Sequence, residues 1–230
     1  MLYAWPKSYH LIMVILLATF GYLGYQVSEY RTGPDERVTY FLENTEIIQR
    51  RQLRDLPETT IPFYGDSLVH GLAVSRADSS LENFGIGHDY SENLLNRVRE
   101  DLQYRQFLEY AVAIGINDLG RGVTVGDLYQ NIIAIVESLA FADTVYVHTV
   151  LPLAASRAGA STINERVRQI NALLFKLLID HRNVVVVNTY ESLAAYDFLP
   201  ESLHIGDGLH LNSTANRKWV ELLASAMSGR

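Results

Sequence analysis

The sequence predicts an α/β domain, a mostly parallel sheet covered by helices on both faces, preceded by an N-terminal transmembrane helix. After Pro57 short apolar runs alternate with longer amphipathic ones, an order that belongs to parallel sheets with helical crossovers. A chain of 230 residues, 48% hydrophobic, can bury one main core. Ahead of that pattern stands an uncharged apolar run at residues 11–27.

That run, LIMVILLATFGYLGYQV, holds seventeen residues and as a helix rises roughly 25 Å, slightly less than a hydrocarbon core. Trp5 and Lys7 precede it, and Tyr22, Tyr25 and Tyr30 crowd its far end, as at a membrane interface. No Ala-x-Ala follows it, so an uncleaved signal-anchor is favoured over a cleaved signal peptide, with a buried core helix as the third reading. Lys7 and the terminal amine on one side of the run face Arg31 and Arg37 on the other; the expected orientation puts the short tail in the cytoplasm and the remaining chain outside it. The expected division is residues 1–28 as tail and anchor, 29–58 as a juxtamembrane amphipathic helix or linker, and 59–230 as the main domain. Val38, Phe41, Leu42, Ile47, Ile48 and Leu53 recur at helical intervals in the second segment.

Strands are expected at residues 60–64, 110–116, 144–151 and 184–187, and helices at about 91–107, 125–140, 162–181 and 213–227. Pro62 removes a ladder donor from the first strand unless it lies at the strand's start or a bulge. A net charge of −7 and a pI near 5.5, with no basic stripe, argue against a nucleic-acid partner. The absence of cysteine excludes disulfides and thiolate chemistry.

In open parallel sheets reactive groups gather at the carboxyl ends of strands. Ser67 follows the first strand in Gly65-Asp66-Ser67-Leu68, Asn117 and Asp118 follow the strand at 110–116, and Asp207-Gly208-Leu209-His210 precedes the last helix. Taken alone, Gly-Asp-Ser occurs by chance in roughly one chain of this size in twenty, and Ser67 could simply be a helix N-cap. A serine hydroxyl is a poor nucleophile without a histidine to take its proton. His210 offers that base, and Asp207, three residues earlier, can hold the imidazole tautomer. Negative charge on a tetrahedral intermediate needs aimed donors, which the Asn117 amide, the Ser67 backbone N–H and the 83–89 loop can supply.

With these segments the sequence resembles the SGNH (GDSL-type) hydrolase superfamily. The matching segments run in the family's order over most of residues 60–215: Gly65-Asp66-Ser67-Leu68, Asn83 through Asp89, Gly115-Ile116-Asn117-Asp118 and Asp207 through His210. Asn83-Phe84-Gly85-Ile86-Gly87-His88-Asp89 looks especially like the intracellular platelet-activating-factor acetylhydrolase branch. The resemblance implies a three-layer flavodoxin-like domain with a triad of Ser67, His210 and Asp207, and an oxyanion hole of Ser67, His88 and Asn117. His88 stands where the family has glycine. Its backbone N–H survives the replacement, and histidine is among the side chains tolerated at positive φ. Its imidazole is expected to narrow the acyl pocket, add a donor or strain the loop.

His70, Tyr90, Leu119, Arg121 and Arg157 are candidate substrate contacts, each weighed against a packing or solvated role. His148 reads as a core histidine, His181 as a helix C-terminal charge, His204 as a loop residue and His10 as part of the membrane flank. No histidine pair has metal-ligand spacing, and triad chemistry requires no cofactor. The expected function is a membrane-anchored serine esterase cleaving acetyl-like esters of extracytoplasmic carbohydrate or lysolipid. The alternatives are an O-acyltransferase using the same acyl-enzyme and a non-catalytic glycan-binding or scaffold protein on the same fold.

Overall fold

The computed structural model describes residues 17–22 and 36–229. The chain divides into two units, 1–41 and 42–230. In the first, residues 17–22 are helical and exposed. The remainder of the expected membrane segment lies outside the described residues, among which no helix is long and apolar enough to cross a membrane.

Helix α1 spans Glu36–Leu53. Its end belongs to the second unit, where Leu53 is fully buried and Gln49 nearly so. There follow β1 (Ile61–Gly65), α2 (Ser67–His70), β2 (Leu81–Gly85), α3 (Ser91–Asp101), β3 (Glu109–Ala113), α4 (Ile116–Arg121) and α5 (Val125–Ser138). Strand β4 (Thr144–His148), α6 (Ala160–Leu174), α7 (Leu177–Asp180), β5 (Val184–Val187), α8 (Thr189–Leu193) and α9 (Ser213–Ser228) complete the order. The five strands pair in parallel in the order β2-β1-β3-β4-β5, which is the flavodoxin-like doubly wound arrangement. β1 and β4 are buried at every position, as strands covered on both faces must be.

Period-two alternation separates the layers. Phe63 stacks on His148 at 4.9 Å and meets Trp219 of α9. Its neighbour Tyr64 points the other way, bonding Asp101 of α3 at 3.0 Å and lying under the Arg97 guanidinium. Helices α3, α5 and α6 pack in succession on the Tyr64 side, and α9 covers the Phe63 side. The structure is therefore a three-layer α/β fold.

Differences from expectation have local causes. Residues 81–85 form an edge strand, although Glu82 and Asn83 break its apolar pattern; an edge tolerates polar residues because one side is open. The expected strand at 110–116 stops at Ala113 because Gly115, at φ 135°, turns the chain into α4. The strand at 144–151 stops at His148. Helix 91–107 ends at Asp101, and 162–181 divides into α6 and α7. Pro62 faces β2 at the strand's start, before pairing with β3 begins at Phe63.

Candidate active site

The order of strands reverses between β1 and β3, and ligand crevices form beyond the carboxyl ends of strands at such a point. Ser67 follows β1 and Asn117 follows β3. Gly65 lets the turn close, since a Cβ there would lie 2.3 Å from Val69 Cγ2 and 2.5 Å from the Ala113 carbonyl. Ser67 is not the N-cap: the Asp66 carboxylate fills that role, accepting from the Leu68 N–H at 2.9 Å. Ser67 is thus the first helical residue, half-buried, with its hydroxyl free for another partner.

That partner is His210. Ser67 Oγ lies 3.0 Å from His210 Nε2, and His210 Nδ1 lies 2.5 Å from Asp207 Oδ2. The other oxygen of Asp207 accepts from the backbone N–H groups of Leu209 and His210 at 3.0 and 2.9 Å. Desolvation works against ionisation of Asp207, but the bonds from His210 and the two N–H groups outweigh it and hold the carboxyl at about 2. Serine, imidazole and carboxylate, 143 residues apart in sequence at their ends, meet in the order a nucleophile, base and orienting group require.

His88 adopts φ 67°, the left-handed conformation for which glycine is usual. It is the third residue of a turn closed by the Asp89 N–H to the Ile86 carbonyl at 3.3 Å. Its side chain is exposed. Among the described residues, the backbone N–H groups of Ser67 and His88 have no acceptor. Asn117 Nδ2 donates to the Asp89 carbonyl at 2.9 Å, which leaves its second N–H available.

Behind this loop lies a set of contacts that sequence reasoning missed. Asp89 and Arg97 form a fully buried ion pair at 2.6 Å. Arg97 also donates to the carbonyls of Phe84 and Gly65 and to Gln49 Oε1, while Gln49 Nε2 donates to the Gly85 carbonyl at 3.3 Å. The last turns of α1, within the second unit, are thereby fastened to the ends of β1 and β2. Asp118 accepts from the N–H and hydroxyl of Ser91, anchoring α3. Burial pushes the Asp66 carboxyl up to about 7, reinforced by Asp89 and Asp118, although the Leu68 N–H opposes it.

The candidate substrate residues separate into distinct groups. His70 is exposed at the end of α2, and Tyr90 is half-buried. Arg121 lies 4.4 Å over the Tyr90 ring and donates to the His88 carbonyl at 3.1 Å. Arg157 donates to the Asp207 carbonyl at 2.7 Å, so both arginines hold loops of the site. Leu119 is 1% exposed and belongs to the core, because the α4 turn directs it inward rather than to the rim. His148 is likewise a core residue, accepting at Nδ1 from Trp219 Nε1 at 2.9 Å, and burial pushes its imidazole down to about 3. Among the described residues no group of three His, Asp or Glu side chains is arranged to hold a metal ion.

The chain belongs to the GDSL-like lipase/acylhydrolase family, whose model matches residues 62–218. Membership makes it a hydrolase of the carboxylic-ester class. A Streptococcus pneumonia structure described as a platelet activating factor matches with a TM-score of 0.70 and 20% identity, over 90% of this chain and 97% of that one. A GDSL-like lipase from Bacteroides thetaiotaomicron gives 0.65 and 20%, over 80% and 95%. The lipase/acylhydrolase from Enterococcus faecalis gives 0.64 and 20%, over 74% and 96%. At these identities the structures establish a shared fold. No curated protein matches the chain.

Proposed function

We propose that the chain is a serine esterase that removes small, acetyl-like acyl groups, with Ser67 as nucleophile, His210 as base and Asp207 as its orienting carboxylate. The observation that carries this reading is the unbroken contact from Ser67 Oγ through the His210 ring to Asp207. Neutral His210 donates its Nδ1–H to Asp207 and accepts the Ser67 proton at Nε2 as Oγ bonds to the ester carbon. The carbonyl oxygen, now anionic, takes hydrogen bonds from the N–H groups of Ser67 and His88 and from the Asn117 amide. The imidazolium then passes its proton to the departing alcohol oxygen, leaving acyl-Ser67. Water repeats the sequence: its proton goes to Nε2, its oxygen bonds to the acyl carbon, and the proton returns to Ser67 as the acid departs.

The side chains of His210 and Asp207 are 40% and 36% exposed. That openness supports a small acyl group carried on a large, accessible alcohol, either an extracytoplasmic carbohydrate or a lysolipid. The apolar run at residues 11–27 supports a membrane anchor with the domain outside the cytoplasm. The purified chain is expected to hydrolyse p-nitrophenyl acetate, and Ser67→Ala to lower the rate about 10⁴-fold or more. An unchanged rate in that variant would remove the reading. Carbohydrate acceptors supplied during turnover are expected to leave free acid as the main product; acylated sugar in excess would indicate a transferase instead.

A further inference from the structure

The loop that carries Asp207 is organised around a second histidine that takes no part in the proton transfers. His204 is buried, with 3% of its side chain exposed. Its Nδ1 accepts from two backbone N–H groups, Gly206 at 2.9 Å and Gly208 at 3.1 Å, which flank Asp207 on either side. Its Nε2 lies 2.8 Å from Glu201 Oε2, and the other oxygen of Glu201 accepts from the Ser156 N–H at 3.3 Å.

These contacts fix the tautomer. A neutral imidazole has one acceptor nitrogen and one donor nitrogen. Two N–H groups aimed at Nδ1 require it to be bare, so the proton sits on Nε2 and is donated to Glu201. The loop is closed at its neck by the Ile205 N–H to the His210 carbonyl at 2.9 Å and the Asn212 N–H to the Leu203 carbonyl at 3.0 Å. Gly206 and Gly208 stand at φ 103° and 72°, which turns their N–H groups inward, where a peptide carbonyl or water would otherwise have to meet them. The imidazole fills that place.

We infer that His204, held by Glu201, is a positioning residue for the catalytic reaction: it sets the backbone on both sides of Asp207 and thereby the place of the carboxylate that orients His210. It touches neither the ester nor the reacting atoms. A displaced carboxylate releases the ring of His210 from alignment with Ser67, and misplacement of about 1 Å near reacting groups costs on the order of 100-fold in rate. The inference rests on the esterase reading above.

The test uses the full chain with three substitutions. His204→Leu, which lacks any acceptor, is expected to lower kcat on p-nitrophenyl acetate by about 10- to 100-fold while KM stays nearly unchanged and the protein remains folded. His204→Asn places an amide oxygen close to the position of Nδ1 and is expected to recover most of the loss. His204→Gln places its acceptor one bond further out and is expected to recover little. Should His204→Leu fail to fold, the comparison of Asn with Gln carries the test: a faster Asn variant supports the role and equal rates overturn it. Nitrogen-15 NMR of the ring is expected to show Nδ1 bare and Nε2 protonated; a proton on Nδ1 overturns the inference without reference to rate. The two readings fail differently. A parent chain with no Ser67-dependent rate removes both, whereas a parent with that rate and a folded His204→Leu equal to it removes the positioning role alone.

Discussion

The two sides of the site are built on opposite principles. On the side of the β2–α3 loop, the turn that holds His88 rests on Asp89 and Arg97, which are 0% and 2% exposed. On the other side, Asp207 and His210 lie near water: backbone N–H groups and Arg157 donate to Asp207, and His204 accepts from the N–H groups of Gly206 and Gly208 that flank it. Donors to an oxyanion act best when fixed before the charge develops, and a buried charge pair is costly to break. A base and its carboxylate have another requirement, which is to keep their order while protons move. The contrast suggests that damage to the first side is felt in folding and damage to the second in chemistry.

Asp207→Asn is the sharpest way to test that division. It imposes the wrong hydrogen-bond pattern on His210 and is expected to lower kcat by about 10⁴-fold, while urea unfolding shifts by less than about 1 kcal/mol. Arg97→Met should do the reverse. It leaves Asp89 buried without its partner, and unfolding free energy is expected to fall by about 3–5 kcal/mol. If Arg97→Met unfolds at the parent's urea midpoint, the buried pair does not hold the loop as described.

Asn117→Ala stands between these extremes. Its amide ties down the Asp89 carbonyl, and in the proposed mechanism its second N–H serves the oxyanion. A loss of about 10²- to 10³-fold in kcat is expected, with the KM of short esters little changed. A rise in KM with kcat unchanged would instead assign Asn117 to substrate binding.

Asp66 supplies a pH-dependent version of the comparison. Its folded carboxyl titrates at about 7 against 3.8 for the ordinary group, chiefly because it is buried. Since the folded pKa is raised, the associated stability is complete below about pH 4 and is lost as pH rises through 7. Asp66→Asn keeps an acceptor for the Leu68 N–H and cannot ionise. The variant is therefore expected to gain stability relative to the parent between pH 5 and pH 8, measured by denaturant unfolding. A constant difference would mean that Asp66 titrates normally.

His88→Gly is expected to have the smallest effect. The exposed imidazole is lost, but the backbone N–H and the positive φ remain available. Esterase rate is expected to stay within about twofold of the parent, because the backbone donor proposed for the oxyanion is kept. A large change would assign the imidazole itself a part in substrate contact.

Much of the site was legible in the chain because its parts are local. Gly65-Asp66-Ser67, Gly115-Ile116-Asn117 and Asp207 to His210 each lie within a few residues, and each follows or precedes a recognisable apolar run. The supporting contacts were not legible, because they join residues with no pattern in common. Arg97 occupies a helix that reads as an ordinary amphipathic surface, yet it bonds Gln49, which is 48 residues earlier. His204 resembled a loop histidine because nothing in sequence indicates that two glycine N–H groups turn toward one ring. Strand β2 was hidden for a different reason: as an edge strand it does not need continuous apolar residues. Arg121 and Arg157 stand out in sequence only as loop cations, whereas their guanidinium groups are engaged by the carbonyls of His88 and Asp207.

A fluorophosphonate probe reports whether contact with His210 activates Ser67. In the intact chain the probe is expected to attach to Ser67, as located by mass spectrometry, and labelling is expected to collapse in His210→Ala. A folded parent chain that stays unlabelled, or one labelled equally well without the imidazole, would contradict the account.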